Sequence, residues 1–363
     1  MSDLSLAGGL WHVIHTAICL FALLVLGSGS ATGCGETYAG RTGGTGGTAG
    51  DVGDGAMQEI PQPATWDFLD SQQSIRNSDD LLEQRAEMIE TVFKGPMPTR
   101  LPDAVEAITD EYYPGLAVER LTIETDDFAS IVYLIQPPLW TGGLALYHQG
   151  HAGDFRTNGE DTIQGLLDAG HQVLAFAMPM RGMNTHPYEN NSHNQLVDRD
   201  RPLAPFAEPV VIALNWADAT YSYSRRFMIG ISGGGWTTVL IAGIDERIDA
   251  SYPVAGSWPH YLRELYGRPG DLEQRSIPSY LELYLMATYP NRQQVQGFNV
   301  YDSCCFGGLV AYDYLPYVSF RAQELGGHFN ILMDYSHTEH WISPDMLAAI
   351  LSLEGLAMDP TGP

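Results

Sequence analysis

The feature that most constrains this chain is the apolar run 226–231 passing without a linker into the apolar stretch 236–242, with Gly230-Ile231-Ser232-Gly233-Gly234 at the junction. The first run has the length of a strand and the second the character of a helix. A strand that feeds straight into a helix needs a sharp turn. Glycines on both sides of the apex let neighbouring elements approach closely. A serine at such an apex sits on a strained backbone with its hydroxyl facing outward.

The same alternation extends along the chain. Residues 120–126 and 129–136 read as a hairpin, and 143–148, 171–178, 226–231, 249–255, 295–301 and 328–335 as strands. Helices are predicted over 162–169, 205–221, 236–243, 313–325 and 344–353. Continuous apolar strands alternating with helices predict an α/β chain with a mainly parallel central sheet and helices on both faces. Ahead of this pattern, Leu81, Leu82, Met88, Ile89 and Val92 have helical spacing over 79–93, with Ser78 as the cap, and a proline-rich stretch follows at 95–102. Residues 57–118 are therefore read as N-terminal helical decoration of one domain spanning 57–363. Residues 257–292, rich in aromatics and arginine, read as a small insertion that is helical over 272–288.

Composition narrows the partners. The 363 residues carry 18 Lys and Arg against 44 Asp and Glu, a net charge of −26, and Lys94 is the one lysine. That surface repels nucleic acid and anionic membrane, so neither is an expected partner. At the N-terminus, residues 17–26 form a short apolar core, and small residues then lead to Cys34. Residues 1–34 resemble a bacterial lipoprotein export signal, which implies lipidation of Cys34 and membrane association through that anchor alone. The alternative is an ordinary secretory signal cleaved nearby. The Gly/Thr-rich segment 35–56 cannot bury a core and reads as a disordered tether. Of the remaining cysteines, Cys304 and Cys305 are adjacent, and read either as free thiols or as a vicinal disulfide. No His/Cys spacing suggests zinc, so neither metal nor cofactor is expected.

The elbow, the antiparallel start and the six later strands resemble the α/β-hydrolase superfamily over roughly residues 119–355. The resemblance implies the α/β-hydrolase fold and a triad in chain order Ser, acid, His. Ser232 is then the nucleophile. Asp302, just past the strand 295–301, is the orienting acid, with Asp313 a weaker rival better explained as a helix N-terminus. Two histidines follow the last strand. His340, just ahead of Ser343-Pro344, is the expected base and His337 the alternative. The other histidines, His193 among them, read as packing, loop or substrate-contact residues. The oxyanion of an acyl-transfer intermediate needs backbone N–H donors. Gly233 supplies one, and the turn Gln149-Gly150-His151 the second, at His151 with Gly150 as rival. Gln149, Arg181 and Trp258 are expected to wall the substrate pocket, with Arg181 either meeting an anionic substrate group or making a structural ion pair. The implied activity is hydrolysis of small-molecule or polymer carboxylic esters through an acyl-enzyme. A peptidase on the same fold and an inactive surface-binding protein are the alternatives; substrate and oligomeric state are left open.

Overall fold

The computed structural model describes residues 63–267 and 270–358, with side chains through Gly355. The expectations for the signal 1–34, for Cys34 and for the tether 35–56 lie outside the described residues.

Among the described residues, nine strands form one sheet: β1 (Ala104–Ile108), β2 (Val118–Thr125), β3 (Phe128–Ile135), β4 (Gly143–His148), β5 (Gln172–Phe176), β6 (Arg225–Ile231), β7 (Ala250–Val254), β8 (Gln293–Asn299) and β9 (His328–Asp334). Their spatial order is β1-β2-β3-β5-β4-β6-β7-β8-β9. The first four neighbours pair antiparallel, and every pair from β5 to β9 is parallel. Every residue of β4, β5 and β7 is buried, as strands covered on both faces require. The helix Gly233–Ile244 packs against the helices Ala204–Thr220, Ser78–Phe93 and Tyr280–Thr288, while Pro344–Met358 packs against Glu160–Asp168.

The helix Ser78–Phe93 is tied into this body by a buried cation, Arg85. Arg85 donates to the carbonyls of Gly243, Met286 and Tyr289 at 3.0, 2.8 and 3.0 Å, so its guanidinium joins three chain segments. Its cap is Asn77 rather than Ser78: the Asn77 side chain accepts from the N–H groups of Asp79 and Asp80, as an N-cap amide does well.

Three elements differ from their sequence reading. The segment 272–288 is two helices, Leu272–Arg275 and Tyr280–Thr288, because Pro278 between them biases its predecessor away from helical dihedrals. Strand β1 lies in the stretch 57–118 read as helical decoration; its residues are almost all exposed, so its side chains carry no alternating apolar signal. The helix behind the elbow begins at Gly233, directly after the serine, since the glycines there are helical and not linker.

Candidate active site

Ser232 has φ 58° and ψ −123°, a conformation costing a non-glycine residue on the order of 1–3 kcal/mol. The surroundings hold it there. Its N–H donates to Val254 O at 2.9 Å, and its carbonyl accepts from Trp236 N at 2.9 Å in the first turn of the following helix. The turn is also clamped from the β4 side. A Cβ on Gly234 would stand 2.0 Å from His148 O, and one on Gly150 would stand 2.7 Å from Ser232 Cβ. Only glycine fits at these two contacts, so the loop after β4 presses directly on the elbow.

Asp302 follows the end of β8. Its side chain is fully buried and has three donors. The N–H groups of Cys304 and Cys305 reach Oδ1 at 2.7 and 3.1 Å, and His340 Nδ1 meets Oδ2 at 2.6 Å. The two cysteine sulfurs are bonded, which resolves the alternatives for Cys304-Cys305 in favour of the vicinal disulfide. His340 lies in the loop between β9 and the last helix, ahead of Ser343, whose Oγ accepts from Met346 N and caps that helix. The other ring nitrogen of His340, Nε2, is buried with no hydrogen-bond partner. Ser232 and His340 line one cavity of about 750 Å³, together with Gln149, His151, Trp258 and Arg263.

Several expected residues fall elsewhere. His337 is not in this cavity: its Nε2 lies 3.2 Å from Asp334 Oδ2, and its Nδ1 accepts from Trp341 Nε1 at 3.1 Å. Arg181 is also outside the lining, in the turn after β5, where its N–H donates to Met178 O. Asp313 accepts from Ala64 N at 2.8 Å and from Tyr261 Oη at 2.5 Å, holding the start of the described chain against the insertion. Gln149 and Trp258 do line the cavity. The Gln149 side chain is held by the Tyr147 hydroxyl, and Trp258 stacks edge-on against Phe306 at 5.4 Å.

Among the described residues, the arginine that lines the cavity is Arg263. It is buried to 4 % exposure, stacks over Phe306 at 5.3 Å and donates through Nη2 to Gln274. Its Nε and Nη1 are buried without a partner, and burial lowers its pKa. Sequence reasoning passed over it because nothing local distinguishes one arginine from its neighbours. Beside it stands a polar cluster the sequence also hid. His151 Nε2 lies 3.3 Å from His193 Nδ1 and 3.5 Å from Glu273 Oε1, and His193 Nδ1 lies 3.3 Å from Glu273 Oε2. Burial would raise the Glu273 carboxyl, but the two imidazoles outweigh it and hold the pKa at about 2.

His148, at the end of β4, is buried, stacks on Phe176 at 5.8 Å and bonds Gln149 O through Nδ1 at 2.9 Å. Burial pushes its pKa down to about 4 from an ordinary 6.5. The folded state thus binds this proton later than the unfolded chain does. Stability from the neutral ring is complete above pH 6.5 and is lost as pH falls toward 4, a loss on the order of 3 kcal/mol. Denaturant unfolding at pH 7.5 and pH 4.5 should show His148→Asn losing clearly less stability than the wild type over that interval. Parallel losses would mean that His148 does not titrate as its burial implies.

No family model matches the sequence, and no curated protein matches it. Solved structures do match its fold. An acetyl xylan esterase from Paenibacillus sp. R4 superposes with a TM-score of 0.54 at 14% identity, covering 78% of this chain and 96% of that one. The methylesterase BT1017 gives 0.57 at 15% identity, over 81% of this chain and 68% of the other. Acetyl xylan esterase 1 from Thermoanaerobacterium sp. JW/SL YS485 gives 0.51 at 14%, over 76% and 93%.

The chain has the α/β-hydrolase fold. In that fold the elbow after β6 and the loops after β4, β8 and β9 converge at the carboxyl edge of the parallel strands, where ligand chemistry collects in open α/β sheets. Those four loops carry Ser232, His151, Asp302 and His340.

Proposed function

We propose that this chain is a serine hydrolase of carboxylic esters. The observation that carries the reading is that Ser232 and His340 line the same cavity, with His340 Nδ1 fixed by the buried Asp302 carboxylate and Nε2 left over. A neutral imidazole in that tautomer is a base on its Nε2 side. The Ser232 hydroxyl attacks the ester carbonyl carbon while its proton passes to His340 Nε2. The tetrahedral oxyanion is held by the N–H groups of Gly233 and His151, and Gly233 N, as the first residue of its helix, has no intrahelical acceptor. Collapse expels the alcohol, which takes the proton from Nε2, and leaves an acyl-serine. Water then repeats the sequence, releasing the acid and restoring the serine. The test is release of chromophore from short-chain nitrophenyl esters, blocked by a serine-reactive phosphonate. Turnover of a dipeptide amide faster than any ester would replace this reading by a peptidase. Absence of both activities would leave a binding protein.

Arg263 sets the preferred ester. Arg263 lines the same cavity as Ser232, and a guanidinium there favours an ester that carries a carboxylate. A charge-assisted hydrogen bond is worth about 1.5–3 kcal/mol. Arg263→Met should therefore lower kcat/KM for an acidic-sugar ester by roughly 10–100-fold and leave a neutral acetyl ester nearly unchanged. Equal losses on both substrates would remove the specificity role.

The N-terminal reading completes the proposal: the enzyme is exported and held at a membrane by acylated Cys34, with 35–56 letting it sample a shell around the anchor. One acyl chain anchors only marginally, whereas the several chains of a bacterial lipoprotein attach stably. Wild-type protein should pellet with membranes and Cys34→Ser should not. A soluble wild type would leave a secreted enzyme.

A further inference from the structure

The geometry points to a zinc site built from His151, His193 and Glu273, which pins the loop after β4 and the insertion to each other beside Ser232. The residues come from three separate segments: the turn after β4, the short helix His193–Leu196 and the helix Leu272–Arg275. Their ligand atoms lie within 4.8 Å of one another. The individual separations are more telling. His151 Nε2 to His193 Nδ1 is 3.3 Å, His151 Nε2 to Glu273 Oε1 is 3.5 Å, and His193 Nδ1 to Glu273 Oε2 is 3.3 Å. Ligands about 2.0–2.2 Å from a tetrahedral zinc stand about 3.3–3.6 Å apart. Asp271 Oδ2, 3.6 Å from His151 Nε2, stands on the cavity side outside this three-residue group, which leaves the fourth position of the ion facing the cavity.

Hydrogen bonding supports a cation over a plain polar cluster. His193 Nε2 lies 3.0 Å from Pro179 O, an acceptor only, so that nitrogen carries a proton. In the neutral ring the Nδ1 lone pair then faces Glu273 Oε2, another acceptor, at 3.3 Å. Two acceptors at that distance repel unless a proton or a metal ion lies between them, and an ion serves both carboxylate oxygens at once. Glu273 has no exposed side-chain surface, and its Oε1 is buried with no hydrogen-bond partner. A metal ion satisfies these lone pairs together, and the Pro179 carbonyl acts as the outer partner that fixes the tautomer of a ligating histidine. Two imidazoles with carboxylate oxygen suit zinc, and magnesium and calcium take oxygen ligands instead.

The site would act on catalysis through His151. Its imidazole lies against Gly233: a Cβ there would come within 2.7 Å of the ring. Its backbone N–H is the second oxyanion donor of the reading above, on which this functional consequence rests; zinc binding itself does not. His151 and Glu273 are thus positioning residues, and the ion fixes the turn and the cavity wall of Asp271 and Gln274.

The test begins with wild-type protein dialysed against a chelator and then given zinc. Elemental analysis after desalting should show one zinc per chain, and the melting temperature should rise on zinc addition. Glu273→Gln and His193→Asn should each weaken zinc binding at least 100-fold and lose the thermal shift. Their melting curves without zinc show whether they fold. Wild type that retains no zinc, or binds it no more tightly than the variants, overturns the site. Zinc that binds stoichiometrically in a Ser232→Ala protein separates this result from any failure of the ester-hydrolase reading.

Discussion

Ser232→Ala should reduce ester hydrolysis by about 10³–10⁶ while leaving the melting temperature within a few degrees of wild type. The hydroxyl makes no packing contribution that the fold depends on. The elbow is held by backbone bonds from Ser232 N to Val254 O and from Trp236 N to Ser232 O, and by the close glycine contacts, all of which an alanine preserves. The expected loss comes instead from removing the atom that forms the acyl bond. The size of the residue matters little, because a serine-to-alanine change removes one oxygen from a position facing a cavity of about 750 Å³. Steady-state assay on a short nitrophenyl ester, with circular dichroism melts of both proteins, measures the two effects separately. Activity within tenfold of wild type would sink the serine-hydrolase proposal.

Asp302→Asn should be nearly as damaging, at about 10⁴-fold in kcat, for a different reason. The carboxylate accepts on both oxygens: two backbone N–H groups at Oδ1 and His340 Nδ1 at Oδ2. An amide has one acceptor oxygen. The N–H groups of Cys304 and Cys305 cannot turn away, so the amide oxygen stays with them and its NH₂ faces His340. The imidazole must then offer Nδ1 as acceptor, which places its proton on Nε2, the side that should receive the serine proton. The variant keeps its shape and loses the correct tautomer. Its activity should recover partly at high pH, where hydroxide bypasses the base. A wild-type rate in Asp302→Asn would move the acid elsewhere, and a wild-type rate in His340→Ala would remove the base as well.

The elbow and the parallel strands were legible in the sequence because each is a local pattern, whereas the order Ser232, Asp302, His340 was an implication of the resemblance. Apolar runs of strand length mark buried strands wherever they pack. Glycines at a strand–helix junction mark a turn that side chains would block, and the contacts of Gly150 and Gly234 give the physical basis. Asp302 was legible because chain direction places the residue after a parallel strand at the carboxyl edge. The choice of His340 over His337 rested on a local signal too, the helix start at Ser343-Pro344.

Tertiary structure alone decided the rest. Strand β1 is an edge strand whose side chains face solvent, so pairing with β2 rather than composition defines it. Arg181 and Arg263 are both arginines beyond the end of a strand, β5 and β7 respectively; only the folding back of the insertion puts the second, and not the first, in the cavity. His151, His193 and Glu273 are separated by 42 and 80 residues, and no spacing rule spans such gaps. Their convergence depends on where the loop after β4 and two short helices meet, and that is set by packing against the sheet. A sequence specifies local conformation through nearest neighbours, but a site assembled from distant segments exists only once the sheet order has brought their loops to one edge.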